Sequence, residues 1–162
     1  KTSEINIDNM IDPSPYKELT KCRIIYNKEI VSIEYIPYQV RPVSSLKLVK
    51  DNTIEYSWKT TNRETINRLF ASRQKYDDIL IVKNDLITDT SICNVAFSDG
   101  NRWETPENPL LKGTQREYLL RQGTIQETRI SIDDISKYKH ISLFNAMIDF
   151  GEIILPITSI NI

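Results

Sequence analysis

One histidine, His140, and two cysteines, Cys22 and Cys93, are all the imidazole and thiol chemistry in the chain. They lie too far apart in sequence for a zinc cluster or a disulfide scaffold, so no metal is expected and a reducing, cytoplasmic setting is the default. Charge of one sign is missing too: 21 Lys and Arg face 22 Asp and Glu, for a net charge of −1. The basic residues are scattered rather than striped, and this argues against a nucleic-acid partner. No apolar run approaches membrane-spanning length and no secretory leader pattern is visible, so no membrane is expected. Glycine is scarce, four in 162 residues. The one at position 113, directly before an amphipathic stretch, therefore needs a reason.

What is present is ordinary globular composition, 40% hydrophobic and 27% charged, enough for one domain or one domain with part of another. The opening Lys1-Thr2-Ser3-Glu4-Ile5-Asn6-Ile7-Asp8 is unlike a natural start, and a further N-terminal segment is expected to precede it. Two β-branched runs, Cys22-Arg23-Ile24-Ile25-Tyr26 and Glu29-Ile30-Val31-Ser32-Ile33-Glu34-Tyr35, flank Asn27-Lys28 as a hairpin would. Pro37 and Pro42 mark a linker, and Leu46-Lys47-Leu48-Val49 is a short strand.

Thr61 with Glu64 three residues on has the form of a capping box, and Ile66, Leu69 and Phe70 share one helical face behind it. The apolar run Asp78-Ile79-Leu80-Ile81-Val82 predicts a buried strand, turned by Asn84-Asp85 into Leu86-Ile87-Thr88. Val95-Ala96-Phe97 predicts another strand, turning through Ser98-Asp99-Gly100 into Arg102-Trp103-Glu104. A helix is expected over 114–122, closed by Gly123 in the left-handed conformation. A strand over 125–130, a short helix over 132–138 and strands at 141–144 and 153–155 complete an α+β chain.

Four pieces recur in a recognisable order: Lys59-Thr60-Thr61-Asn62-Arg63, then Ile87-Thr88-Asp89 through Asn94-Val95-Ala96-Phe97, then Thr105-Pro106, then Leu111-Lys112-Gly113-Thr114-Gln115-Arg116. This series resembles the class IV aminotransferase family of fold-type IV pyridoxal-phosphate enzymes. That family includes branched-chain and D-amino-acid aminotransferases and 4-amino-4-deoxychorismate lyase. The Lys-x-x-Asn-Arg form and Asn145-Ala146 are closest to the lyase branch. The resemblance implies a D-amino-acid-aminotransferase-like fold, with 1–40 the remainder of the small α/β domain and 41–162 the linker and larger pseudo-barrel domain. It also implies a homodimer.

The resemblance assigns roles residue by residue. Lys59 matches the lysine that forms the internal aldimine with pyridoxal 5'-phosphate and later moves the Cα proton; such an amine must be neutral to attack, through burial or a nearby cation. Asp89 matches the family's glutamate that keeps the pyridine nitrogen protonated, one methylene shorter. Leu111 matches the leucine packed on the cofactor ring. Gly113, Thr114 and Gln115 open a helix whose first N–H groups suit the cofactor phosphate, a glycine allowing close backbone approach. Asn145 and Ala146 match a second phosphate loop. The family's phosphate-binding arginine falls in a segment that would precede Lys1. Asn94 is expected to hold the turn beside Asp89, Cys93 to be buried, and His140 to start a strand.

An amino-acid-type small molecule is thus the expected substrate, and loss of its Cα proton the expected first chemical event. A lyase would then release pyruvate and 4-aminobenzoate, on the way to folate; a transaminase would release a keto acid. A member that kept the fold and lost turnover is the alternative from another class.

Overall fold

A computed structural model describes residues 7–162, so the opening residues 1–6 lie outside it. The chain divides into two compact units, Lys1–Arg41 and Pro42–Ile162. In the first, β1 (Thr20–Tyr26) and β2 (Ile30–Pro37) form the expected antiparallel hairpin. Asn27 closes its turn twice: its N–H donates to the Glu29 carbonyl and its side-chain oxygen accepts from the Glu29 N–H, both at 3.0 Å. Tyr16 stacks on Tyr35 from the same unit, with ring centroids 4.5 Å apart.

The second unit holds two sheets. The first is built from β3 (Leu46–Lys50), β4 (Asp78–Lys83), β5 (Leu86–Thr90) and the terminal β11 (Ile160–Asn161), in the order β11-β3-β4-β5. β4 lies between two neighbours, and every residue of it but Lys83 is buried. That position explains its unbroken apolar run, because a strand covered on both faces has no polar side to alternate with. β3 and β4 are parallel, and α1 (Glu64–Ala71) makes the crossover between them. Ile66 and Leu69 of α1 pack with Val49, Ile54, Ile79, Ile81 and Leu110. Asn84 and Asp85 carry the turn from β4 to β5 at φ 53° and 61°, the left-handed pair that a two-residue hairpin needs and that Asn and Asp tolerate best among side-chain-bearing residues.

The second sheet is built from β6 (Asn94–Ser98), β7 (Trp103–Pro106), β8 (Gln126–Thr128), β9 (His140–Asn145) and β10 (Ile148–Pro156), in the order β10-β9-β6-β7-β8. Helix α2 (Thr114–Arg121) precedes β8, and its Leu119 packs with Ala96, Ile125 and Phe144. Gly123, at φ 68°, ends α2 as expected. The chain passes from one sheet to the other only a few residues after Asp89, through the turn between β5 and β6. No helix among the described residues is long and apolar enough to cross a membrane.

Three local expectations need correction. The Thr61–Glu64 capping box does not form: α1 starts at Glu64 with Arg63 as its cap residue, and the Glu64 N–H donates instead to Asn62 Oδ1 at 3.1 Å. The helix expected over 132–138 is only a 3-10 turn, Ile135–Lys137. There the Asp134 carboxylate accepts from the Ser131 N–H and hydroxyl at 2.9 and 2.6 Å, and the backbone bonds span three residues. A segment this short has too few turns to offset helix nucleation. The strand expected over 125–130 narrows to Gln126–Thr128, paired parallel to β7.

Candidate functional site

β5 ends by delivering Asp89 into the protein, where it is 5% exposed. The turn that follows is self-braced: the Thr90 N–H donates to the Cys93 carbonyl at 2.9 Å, and the Cys93 N–H donates to Thr90 Oγ1 at 3.0 Å. Asn94, the first residue of β6, thereby comes back beside Asp89. Its Nδ2 donates to Asp89 Oδ1 and to the Leu111 carbonyl, both at 2.8 Å. The Leu111 N–H donates to Asp89 Oδ2 at 2.9 Å. Asp89 is thus gripped by Asn94 and Leu111, which lie on two separate pieces of chain.

Burial pushes the Asp89 carboxyl up to about 6, against the pull of the Leu111, Asn94 and Leu110 hydrogen bonds and the charge of Arg116. It remains mostly ionised at neutral pH. Arg116 itself is buried, its Nη2 donating to the Pro106 carbonyl at 2.8 Å and to Glu127 Oε1 at 2.7 Å.

Gly113 stands at the start of α2 with an extended backbone, φ −71° and ψ 151°, which any residue can adopt. Space is what requires glycine here: a Cβ would fall on Asn94 Oδ1, well inside contact distance. α2 begins without a side-chain cap, so the N–H groups of its first turn are left to other acceptors. The Thr114 side chain is exposed, and Gln115 is half-buried.

Lys59 lies in the irregular segment between β3 and α1, and it is exposed, as are Ser57, Trp58 and Thr60. Of the residues just before Lys59, only Tyr56 turns partly inward. The segment is nevertheless tied to the Asp89 turn. Arg63 Nη2 donates to the Ser91 carbonyl at 2.7 Å and Nη1 donates to the Tyr56 hydroxyl at 3.0 Å.

Asn145 reaches the same turn from β9, with Nδ2 donating to the Ile92 carbonyl at 3.2 Å and to Cys93 Sγ at 3.4 Å. Its Oδ1 accepts from the Met147 N–H at 2.7 Å, so this side chain is occupied within the protein. Ala146 is exposed in the tight turn to β10. Cys93 is buried, and that burial pushes its thiol up to about 12.

The fold therefore gathers Asp89, Asn94, Leu111, Gly113 and Asn145 around one turn, with the Lys59 segment attached through Arg63. A separate groove of about 270 Å3 is lined by Tyr56, Ser57, Lys83, Thr88 and Leu110 among others, and none of the sequence-predicted site residues lines it. Sequence reasoning did not find the contacts of Arg63, Tyr56 and Arg116. Two of the three stand inside the quoted motifs, where their identity was visible but their partners were not.

Comparisons with known proteins follow the same lines. The family model described as amino-transferase class IV matches residues 16–160. An uncharacterised protein of Haemophilus influenzae is 46% identical over 136 residues, covering 83% of this chain and 72% of that protein. The crystal structure of a protein from Haemophilus somnus 129PT, provisionally named a 4-amino-4-deoxychorismate lyase, superposes with a TM-score of 0.84 at 35% identity, over 91% of this chain and 78% of that one. A hypothetical aminotransferase from Mycobacterium tuberculosis, in its pyridoxal-phosphate-bound form, shares the fold at a TM-score of 0.62 and 16% identity, over 80% of this chain and 54% of that one.

Proposed function

The chain belongs to the class IV aminotransferase family, and from that premise we propose that it serves a pyridoxal-phosphate enzyme that cleaves 4-amino-4-deoxychorismate to pyruvate and 4-aminobenzoate. The family and fold are those of pyridoxal-phosphate-dependent enzymes. The observation that carries the reading is Asp89, a buried carboxylate held by neutral donors at the turn to which the Lys59 segment is tied. A buried anion hydrogen-bonded only to neutral groups is suited to a cationic N–H partner.

The residues fit the cofactor. Asp89 accepts from Asn94, Leu111 and the Leu110 backbone, and a carboxylate has roughly four acceptor positions, so acceptor capacity remains for a pyridine N–H. Lys59 makes no hydrogen bond or ion pair among the described residues, which leaves its Nζ available to hold the cofactor. The uncapped first turn of α2 at Gly113, Thr114 and Gln115 would hold the phosphate. Leu111 would lie against the ring, and the backbone at Asn145 and Ala146 would close the phosphate side.

Pyridoxal phosphate, when bound, supplies an electron sink for the substrate's Cα. Asp89 would keep the proton on the ring nitrogen. Lys59 Nζ would take the Cα proton and return one to the product side. Residues 1–40 would be the remainder of a small domain and 41–162 the larger one, working as a homodimer in the cytoplasm. Motif form favours the lyase over a transaminase, and the name of the 35% identical structure points the same way.

The test is the near-visible absorption of full-length protein with added pyridoxal phosphate, beside Lys59→Ala, followed by pyruvate release from aminodeoxychorismate. A band lost in the variant, with pyruvate formed by the wild type, supports the reading. A band without pyruvate, but with keto acid formed from an amino acid, makes it a transaminase. No band in either protein leaves a non-catalytic member of the fold.

A further inference from the structure

The segment bearing Lys59 has little of its own to hold it. Residues 57–62 belong to no helix or strand, and every one of them is exposed. Their internal bonds are slight: Thr60 Oγ1 donates to the Asn62 carbonyl at 2.9 Å, and Asn62 Oδ1 serves the start of α1. No side chain of the segment anchors it in a core, so its order must come from its ends.

Both ends meet at one guanidinium. Arg63, just after the segment, bonds the hydroxyl of Tyr56, just before it, at 3.0 Å, with its guanidinium carbon 5.4 Å from the centre of the Tyr56 ring. The Tyr56 hydroxyl also reaches the Thr60 carbonyl at 3.4 Å. Tyr56 is therefore engaged both with Arg63 and with the middle of the loop. The other arm of Arg63 bonds the Ser91 carbonyl at 2.7 Å. Ser91 is buried in the turn between Asp89 and Asn94, so the clasp ends on the element that fixes the Asp89 carboxylate.

We propose that Arg63, working with Tyr56, is a positioning residue that sets where the Lys59 amine stands relative to the Asp89 carboxylate. The proposal rests on the reading of Lys59 and Asp89 given above. A lysine side chain is long and flexible, so only its backbone can be placed in advance, and Arg63 places it. The planar fork of an arginine makes two directed bonds and lies against a ring at once; the point charge of a lysine cannot do all three. Misplacing a reacting group by about 1 Å costs on the order of 100-fold.

The experiment uses full-length protein as wild type, Arg63→Lys, Tyr56→Phe and Lys59→Ala. Two quantities are read: the affinity and pH midpoint of the pyridoxal-phosphate absorption band, and amide hydrogen exchange of peptides over 57–62 in cofactor-free protein. Arg63→Lys should weaken cofactor affinity on the order of tenfold or more and move the midpoint. Exchange over 57–62 should rise by a similar factor, with α1 and β6 unchanged. Tyr56→Phe should move all three in the same direction and by less, and it keeps the test open should Arg63→Lys fail to fold. Affinity, midpoint and loop exchange all staying at wild-type values in both variants would overturn the clasp while leaving the Lys59 reading intact, provided Lys59→Ala has lost the band. A band that survives Lys59→Ala, or no band in the wild type, overturns the reading and the clasp with it.

Discussion

Gly113 is shaped by Asn94: a single methyl at position 113 would collide with Asn94 Oδ1, the side chain that bridges Asp89 and the Leu111 carbonyl. The pair couples the start of α2 to the end of β5. Gly113→Ala should lose on the order of 2 kcal/mol, because Asn94 must leave two buried hydrogen bonds to make room. Asn94→Ala should lose a similar amount. The double variant should lose clearly less than the sum, since with Asn94 truncated the new methyl meets nothing. Urea unfolding of the four proteins measures the cycle; strict additivity would show that the two positions are not coupled.

Asp89 should leave a mark on pH stability. Its carboxyl rises from 3.8 to about 6 on folding, so between those values the folded state binds more protons than the unfolded one. The sign follows from linkage: the Asp89 contribution makes the protein less stable as pH climbs from about 4 to 6, by roughly 2 to 3 kcal/mol in all. Acids such as the half-buried Asp77, lowered to about 2 by its bonds to Ser44 and Ser45, act in the opposite direction at lower pH. The difference between wild type and Asp89→Asn isolates the effect. The wild type should lose stability relative to the variant across that window, and parallel curves would refute the shift.

The thiols should separate cleanly. Cys22 is exposed on β1, whereas Cys93 is buried and its thiol is pushed up to about 12. Reactivity follows the thiolate and its access. A chromogenic disulfide reagent at pH 8 should titrate one thiol in the native protein and both after denaturation. Rapid reaction of Cys93 under native conditions would mean that the turn after Asp89 opens readily.

Lys59 should matter to chemistry and not to folding. It is exposed and makes no hydrogen bond or ion pair among the described residues. Lys59→Ala without cofactor should therefore stay within about 0.5 kcal/mol of the wild type. With pyridoxal phosphate added, only the wild type should gain thermal stability beyond what phosphate alone confers, as a ligand bound to the folded state requires. Equal gains in both proteins would place the cofactor elsewhere.

Much of the fold was legible because it rests on local pattern. The run at 78–82, the Asn84-Asp85 turn and Gly123 each answer to a single strong constraint: burial on both faces, a left-handed pair, a helix end. Where constraints compete over a few residues, reading failed. At 132–138 the Asp134 side chain drew the backbone into a 3-10 turn, and before α1 the Glu64 N–H turned to Asn62 Oδ1 instead of Thr61. β11 is two residues long and exists because β3 offers it a parallel edge.

The sequence by itself determined which residue types stand at the candidate site and in what order, since a motif is a statement about identity and spacing. It determined the family for the same reason. It could not say that Gly113 makes room for Asn94, that Arg63 reaches Ser91, or that Lys59 is exposed while Asp89 is buried. Those facts join residues up to 28 positions apart. Only the packing of two sheets around the β5–β6 turn decides which carbonyls, carboxylates and side chains share that space, and burial then shifts the titration of Asp89.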